Sequence, residues 1–187
     1  IREYEVKINE LKKKLFLYGM LRLGVFSLLI LMVILNWGNA QIIFISSIVG
    51  IALFLGLVSK NEDVRNERKR LEKLLELNSL ELRLLQQNFE GVPQGNEFVS
   101  EFHAFNQDID LFGFGSLFQL VNRTGTEQGK IKLAGILNAN EIENIEEKQE
   151  ALKELAVKIK WRQNFYASAS LIKTTISSSQ IVKWLSA

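Results

Sequence analysis

Few side chains in this sequence could do chemistry, and their spacing argues against most of it. His103 is the only histidine and there is no cysteine, so neither a zinc set nor a Ser-His or Cys-His nucleophilic relay can be assembled. Asp108 and Asp110 would share one side of an extended segment. Next to a helix start, however, such residues cap or stay solvated rather than work as a paired acid and base. Gly113-Phe114-Gly115 begins like a GxGxxG dinucleotide loop, but Phe118 stands where the third glycine belongs and no buried-strand pattern leads into it. No GxxxxGK[ST] run occurs, so these residues lack the strand-to-helix phosphate cradle of an ATPase. The sequence predicts no catalytic, cofactor-binding or metal-binding residue in this chain.

Charge offers one further candidate, the cluster Arg65, Arg68, Lys69, Arg70 and Lys73. Beside a membrane such residues are drawn to anionic head groups at about 1 kcal/mol each; on DNA they would neutralise phosphates. Glu62, Asp63, Glu67 and Glu72 interleave with them, no aromatics do, and the whole chain carries only +2. A lipid-facing or simply solvated face therefore suits Arg65, Arg68, Lys69 and Arg70 better than DNA.

The elements that carry these residues fall into unlike parts. Residues 16–35 contain a single charge, Arg22, and are long enough to cross a hydrocarbon core of roughly 30 Å. Residues 42–58 contain none and include Gly50 and Gly56, which membrane helices tolerate better than soluble ones. Only a short loop bearing Trp37 separates the runs, so they are expected to form a transmembrane hairpin within residues 1–60. Lys12, Lys13, Lys14 and Arg22 precede it, Lys60 and the arginine cluster follow it, and the loop has no base. That asymmetry predicts both termini in the cytoplasm, with Trp37 at the far interface. On the cytoplasmic side the sequon Asn122-Arg123-Thr124 is turn chemistry rather than a glycosylation site. The lack of cysteine fits a reducing compartment.

Residues 61–90 are rich in Leu, Glu, Lys and Arg, with neither Gly nor Pro, and predict one stalk helix. Leu71, Leu75, Leu82, Leu85 and Phe89 mark its apolar stripe, widened by Leu74, Leu77 and Leu84, with Asn78 where another apolar residue is expected. The stripe suits packing on the protein's own bundle or an intermolecular coiled coil. The stalk is expected to stop at Gly91-Val92-Pro93-Gln94-Gly95, opening a linker over 91–105.

Beyond the linker, Ser116 is a natural N-cap for a short helix, Leu117–Val121. Thr124 and Glu127 make a capping-box pattern before a helix over 126–137, whose buried side would be Ile131, Leu133, Ile136 and Leu137. Asn140 would cap a third helix through Ile142, Ile145, Leu152, Leu155, Ala156 and Ile159. The expected fold class is all-α.

One stretch carries more specific information. Asp108, Asp110, Leu111, Phe112, Gly115, Ser116, Leu117, Phe118, Leu120, Asn122, Arg123, Thr124, Thr126, Gly129, Leu133 and Leu137 fit an Asp/Leu-rich lead-in followed by the pattern SLF..LNRT.T..G...L..WL. This resembles the opening of the helical core domain of the MutS family of ATP-dependent mismatch-repair proteins. IEEKQEALKELA from Ile145 and WRQNFYA from Trp161 extend the resemblance over roughly residues 105–169, about a third of the chain. It implies that residues 106–187 begin a MutS-like core, with Asp110, Gly115, Ser116, Phe118, Asn122, Arg123, Thr124 and Gly129 as structural motif residues. It further implies a homodimeric ATPase parent, of which this chain is an N-terminal fragment. ATP and Mg would then bind elsewhere in the parent, and DNA would be reached through downstream domains. The Phe-x-Glu wedge that reads mismatches is absent from this sequence, and a membrane hairpin stands in its place. An adaptor that is not an enzyme, anchored in lipid and binding a protein through its helices, is the rival expectation.

Overall fold

The computed structural model describes residues 1–99, 109–139 and 144–172. Among them are six α-helices and no strand: α1 (Arg2–Leu35), α2 (Ala40–Leu85), α3 (Leu117–Val121), α4 (Glu127–Asn138), α5 (Ile145–Ala156) and α6 (Ile159–Ser170), with a 3-10 turn at Asn96–Phe98. The fold is all-α. The chain divides into two compact units, one ending at Leu75 and the other starting at Glu76. Asn140 and Ile142, expected to open the third core helix, lie outside the described residues, as do His103 and Asp108.

The first unit is a helical hairpin. Asn36 closes it locally: its backbone N–H and its side-chain amide both donate to Met32 O, at 3.2 and 3.0 Å, and its carbonyl accepts from Asn39 N–H at 2.9 Å. Four residues thus turn the chain, and Trp37 at the tip is exposed. A Cβ at Gly50 would overlap the Leu29 side chain, so the two helices pack closely at that level, as small residues allow. Both helices are long and apolar enough to cross a membrane, with mean hydropathy of 2.2 and 2.6 over their most apolar 18 residues. Almost none of those residues is buried.

The expected boundary between second span and stalk is not a break in the backbone. Helix α2 runs unbroken through Ser59-Lys60-Asn61, because a change from apolar to charged residues contains no helix breaker. It ends at Leu85, four residues before Phe89, in a Schellman motif: Asn88 N–H donates to Arg83 O and Gln87 N–H to Leu84 O, both at 3.0 Å. Gln87 takes the left-handed conformation, φ 58°, that glycine usually fills. The buried leucines are Leu71, Leu74, Leu77 and Leu84, whereas Leu82 and Leu85 are exposed. Leu71 of the expected stripe and the three side chains counted as widening it are therefore its buried part. In the second unit the reason is local, since Arg123 and Gln163 reach α2 at Glu81 and Asn78.

The second unit packs around Phe118, which has no exposed surface. Its ring lies 5.4 Å from that of Phe112 and 5.8 Å from that of Phe98. Gly95, φ 70°, passes so close that a Cβ would sit 2.7 Å from Phe118 and 2.9 Å from Phe112. Leu111, Val92, Ala134 and Ala167 complete the buried apolar set of this unit together with Leu77 and Leu84.

Three local expectations need correction. Thr126, not Thr124, caps α4: its Oγ1 accepts from Gly129 N–H at 3.1 Å, while the Thr124 hydroxyl donates to Asn122 Oδ1 at 2.7 Å. Helix α4 buries Ala134, with Leu133 and Leu137 partly covered, and leaves Ile131 and Ile136 exposed; these four apolar positions, spread over the seven residues 131–137, cannot all face one side. The third core helix is two helices, because the chain turns at Val157 and Lys158, with Lys158 N–H donating to Leu155 O at 3.1 Å. Arg162 donates to Ala156 O at 3.2 Å and satisfies one of the carbonyls left free at the end of α5.

Candidate functional site

The eight core residues singled out by sequence separate into two packing nodes. Asp110, Gly115, Ser116 and Phe118 belong to the first. Asp110 adopts φ 46°, and its carbonyl accepts from Leu117 N–H at 3.1 Å. Ser116 is buried and caps α3, accepting from Gln119 N–H at 3.3 Å. Gly115 takes φ 74° with open space around it, so its role is backbone conformation and not close approach.

Sequence reasoning missed the residue that ties this node together. Gln119 is fully buried. Its Oε1 accepts from Gly115 N–H at 2.7 Å and its Nε2 donates to Val92 O at 2.6 Å. The available signal was a lone amide inside Leu117-Phe118-Gln119-Leu120-Val121, a polar residue that must find partners if the helix is covered. The same bonds settle what the glycine loop can do. Gly115 N–H is taken by Gln119 and Gly113 N–H by Gln94 O at 2.9 Å, so these two amides do not form a phosphate nest.

Asn122, Arg123, Thr124 and Gly129 form the second node. Asn122 Oδ1 accepts from both the N–H and the hydroxyl of Thr124, at 3.1 and 2.7 Å, an Asx turn that delivers the chain to the Thr126 cap. Arg123 is bidentate on Glu81 across 42 residues: Nε to Oε1 at 2.6 Å and Nη2 to Oε2 at 3.0 Å. Gly125 slides beneath α6, where a Cβ would stand 3.0 Å from both Ala169 Cβ and Tyr166 O.

Beside this node opens a cleft of about 730 Å³, within the range of small-ligand sites. Leu77, Leu155 and Ile159 line its apolar part, Arg123, Thr124 and Thr126 its polar edge, and Trp161 and Phe165 one wall. Those two rings stack, 5.3 Å apart and 13° from parallel, yet each is more than half exposed. The arrangement can grip an apolar or planar group. Arg123 is held there by Glu81, and among the described residues there is no metal-binding cluster of His, Cys, Asp or Glu.

The basic cluster after the second apolar run is mostly neutralised on its own helix. Arg65 pairs with Glu62 at 2.9 Å, Arg68 with Glu72 at 3.3 Å and Arg70 with Glu67 at 3.1 Å. Lys69 is exposed, with no carboxylate beside it among the described residues. No protein-family model, no curated protein and no solved structure matches this chain.

Proposed function

We propose that the first unit anchors this chain in a membrane as a two-span hairpin, with both ends cytoplasmic, and that the second is the opening of a MutS-like helical core. One observation carries the anchor: the most apolar windows of both helices are almost entirely unburied, and monomeric soluble proteins rarely expose so large a continuous apolar patch. The test uses single cysteines at Asn39 and Ser59 in this cysteine-free chain. In intact cells a membrane-impermeant thiol reagent labels position 39 and spares position 59; the opposite pattern rejects the topology.

The MutS-like part rests on the motif, and its residues support a mechanical role. All eight make backbone caps, turns, ion pairs or core contacts, as expected of a lever and not of a reactive site. In this reading the parent is a homodimeric ATPase that uses ATP and Mg, and contacts DNA, through segments outside these residues. This chain by itself then neither binds nor hydrolyses ATP-Mg, which calorimetry checks. A coding sequence that continues past Ala187 into a GxxxxGK[ST] loop supports the reading; a stop shortly after leaves the adaptor. The exposed Trp161 and Phe165 pair favours that second reading, because stacked aromatics beside a cleft are suited to holding a partner's side chain.

A further inference from the structure

The basic residues flanking the hairpin differ in how much charge they have left over. Residues 12–22 hold four bases and no acid, whereas residues 60–70 hold five bases and three acids. Arg65, Arg68 and Arg70 share their charge with Glu62, Glu72 and Glu67, three or four positions away on α2. Lys12, Lys13, Lys14 and Lys60 are exposed, and among the described residues no carboxylate pairs with them.

Height along the hairpin is the second consideration. The close approach of Leu29 to Gly50 fixes the antiparallel register, because both helices rise about 1.5 Å per residue. Counting outward, Lys13 stands level with about residue 66 and Lys60 with about residue 19. The burial of Ile8 and of Leu71 fits the same register. Lys14 and Lys12 then lie roughly 3 and 6 Å beyond Phe16, where the apolar run begins, and a head-group layer is about 5–8 Å deep. By the same count Arg65 stands level with Lys14 and is set apart by its Glu62 partner rather than by height. Lys69 and Arg70 lie about 9 and 10 Å out, and Lys60 lies about 4–5 Å inside the level of Phe16, from which its long side chain reaches outward.

We propose that Lys12, Lys13, Lys14 and Lys60 form a collar that selects anionic phospholipid head groups, and that the neighbouring arginines contribute little to that selection. The inference rests on the membrane reading above. Consecutive helical residues point about 100° apart, so the three α1 ammonium groups fan over about 200° and cannot converge on one phosphate. The collar therefore touches several lipids at once, and its preference is electrostatic, graded and screened by salt. A convergent pocket for one lipid would instead be stoichiometric and resistant to salt.

The test reconstitutes the full chain in phosphatidylcholine vesicles with a trace of spin-labelled phosphatidylglycerol or spin-labelled phosphatidylcholine, and reads the protein-bound spectral component. At low salt the anionic label associates about threefold or more over the zwitterionic one, and the ratio falls toward one at high salt. Lys12→Gln, Lys13→Gln and Lys14→Gln lower it stepwise, and the triple variant removes most of it. The control removes the three ion pairs without changing net charge, by Glu62→Gln/Arg65→Gln, Glu67→Gln/Arg70→Gln and Arg68→Gln/Glu72→Gln, and keeps the ratio. Selectivity retained by the triple lysine variant, lost in the control or insensitive to salt overturns the collar. Flotation with pure phosphatidylcholine vesicles separates the two levels: a wild-type chain that fails to float overturns the membrane reading and the collar with it, and one that floats without anionic preference overturns the collar alone.

Discussion

The hairpin and the unit beginning at Glu76 hold similar side chains in opposite ways. In the second unit Phe118 is fully buried against Phe98 and Phe112, with Leu77, Leu84, Val92 and Leu111 also buried and the buried Gln119 and Ser116 hydrogen-bonded beside it. In the hairpin, Phe16, Leu35, Phe44 and Ile45 all face outward, and the helices meet through a small residue, Gly50, against Leu29. The difference teaches where cohesion comes from. The second unit is held by apolar burial and by buried hydrogen bonds that are costly to break. A hairpin in lipid gains little from apolar contact between helices, because its surroundings are as apolar as its side chains, and it relies on close fit and on the turn.

Paired truncations test that contrast most strongly. Phe118→Ala removes a fully buried ring flanked by Phe98 and Phe112 and is expected to cost about 3–5 kcal/mol. Leu29→Ala in the hairpin is expected to cost about 1 kcal/mol or less in a bilayer or micelle. Chemical denaturation of each detergent-solubilised variant against wild type, followed by far-ultraviolet circular dichroism, measures the two losses. Equal losses would remove the distinction.

Replacing the buried amide comes next. Gln119→Leu keeps the volume but strands Gly115 N–H and Val92 O, each now bonded at 2.7 Å or less. With about 1–3 kcal/mol for each of the two unsatisfied buried groups, the expected loss is about 2–6 kcal/mol. A neutral result would mean that water enters the node, which would make it less like a core than its burial indicates.

Two glycines divide strain from overlap. Gly95→Ala adds both a left-handed alanine, at φ 70°, and a Cβ 2.7 Å from Phe118, and should lose more than about 2 kcal/mol. Gly115→Ala has the same sign of φ but nothing within 4 Å, so only backbone strain of about 1–2 kcal/mol remains. Thermal midpoints of the two variants should fall in that order.

The elements legible in the sequence are those whose cause lies within a few residues. Ser116 announces α3 because a cap and its helix are adjacent, and the apolar runs announce α1 and the first part of α2 by length alone. Distance or rarity hid the rest. Gln119 finds Val92 across 27 residues, and Arg123 finds Glu81 across 42; no local pattern encodes either partner. Gln87 ends α2 in a conformation usually given to glycine, so the stop was looked for at Gly91. The division between α5 and α6 falls at Val157-Lys158, where no proline or glycine marks it. The cap is expected at Thr124, but the Asn122 side chain engages Thr124 and leaves Thr126 to cap α4.

The smallest expected effect concerns the ion pairs at Lys130, where the second unit uses surface electrostatics to fasten the turn at Asn96–Phe98 to α4. Lys130 Nζ lies 3.0 Å from Glu97 and 3.0 Å from Glu127, and 5.7 Å above the Phe98 ring. Hydrogen bonding to Glu97, then to Glu127, raises the Lys130 pKa above the usual 10.5. A backbone N–H bond and then Lys130 lower that of Glu97 below the usual 4.5. A depressed carboxyl contributes stability above its unfolded value and loses it as pH falls through the lower folded value; a raised ammonium contributes below its unfolded value and loses it as pH rises through the higher folded one. The tie is therefore complete between 4.5 and 10.5 and weakens on both sides. Because the Glu97 side chain is 52% exposed, solvent screens the pair, and Lys130→Met should cost no more than about 1 kcal/mol at neutral pH. The gap between wild type and variant in denaturation midpoint should narrow in strong acid and in strong base. A gap that stays constant across the whole range would assign Lys130 to packing against Phe98 rather than to charge.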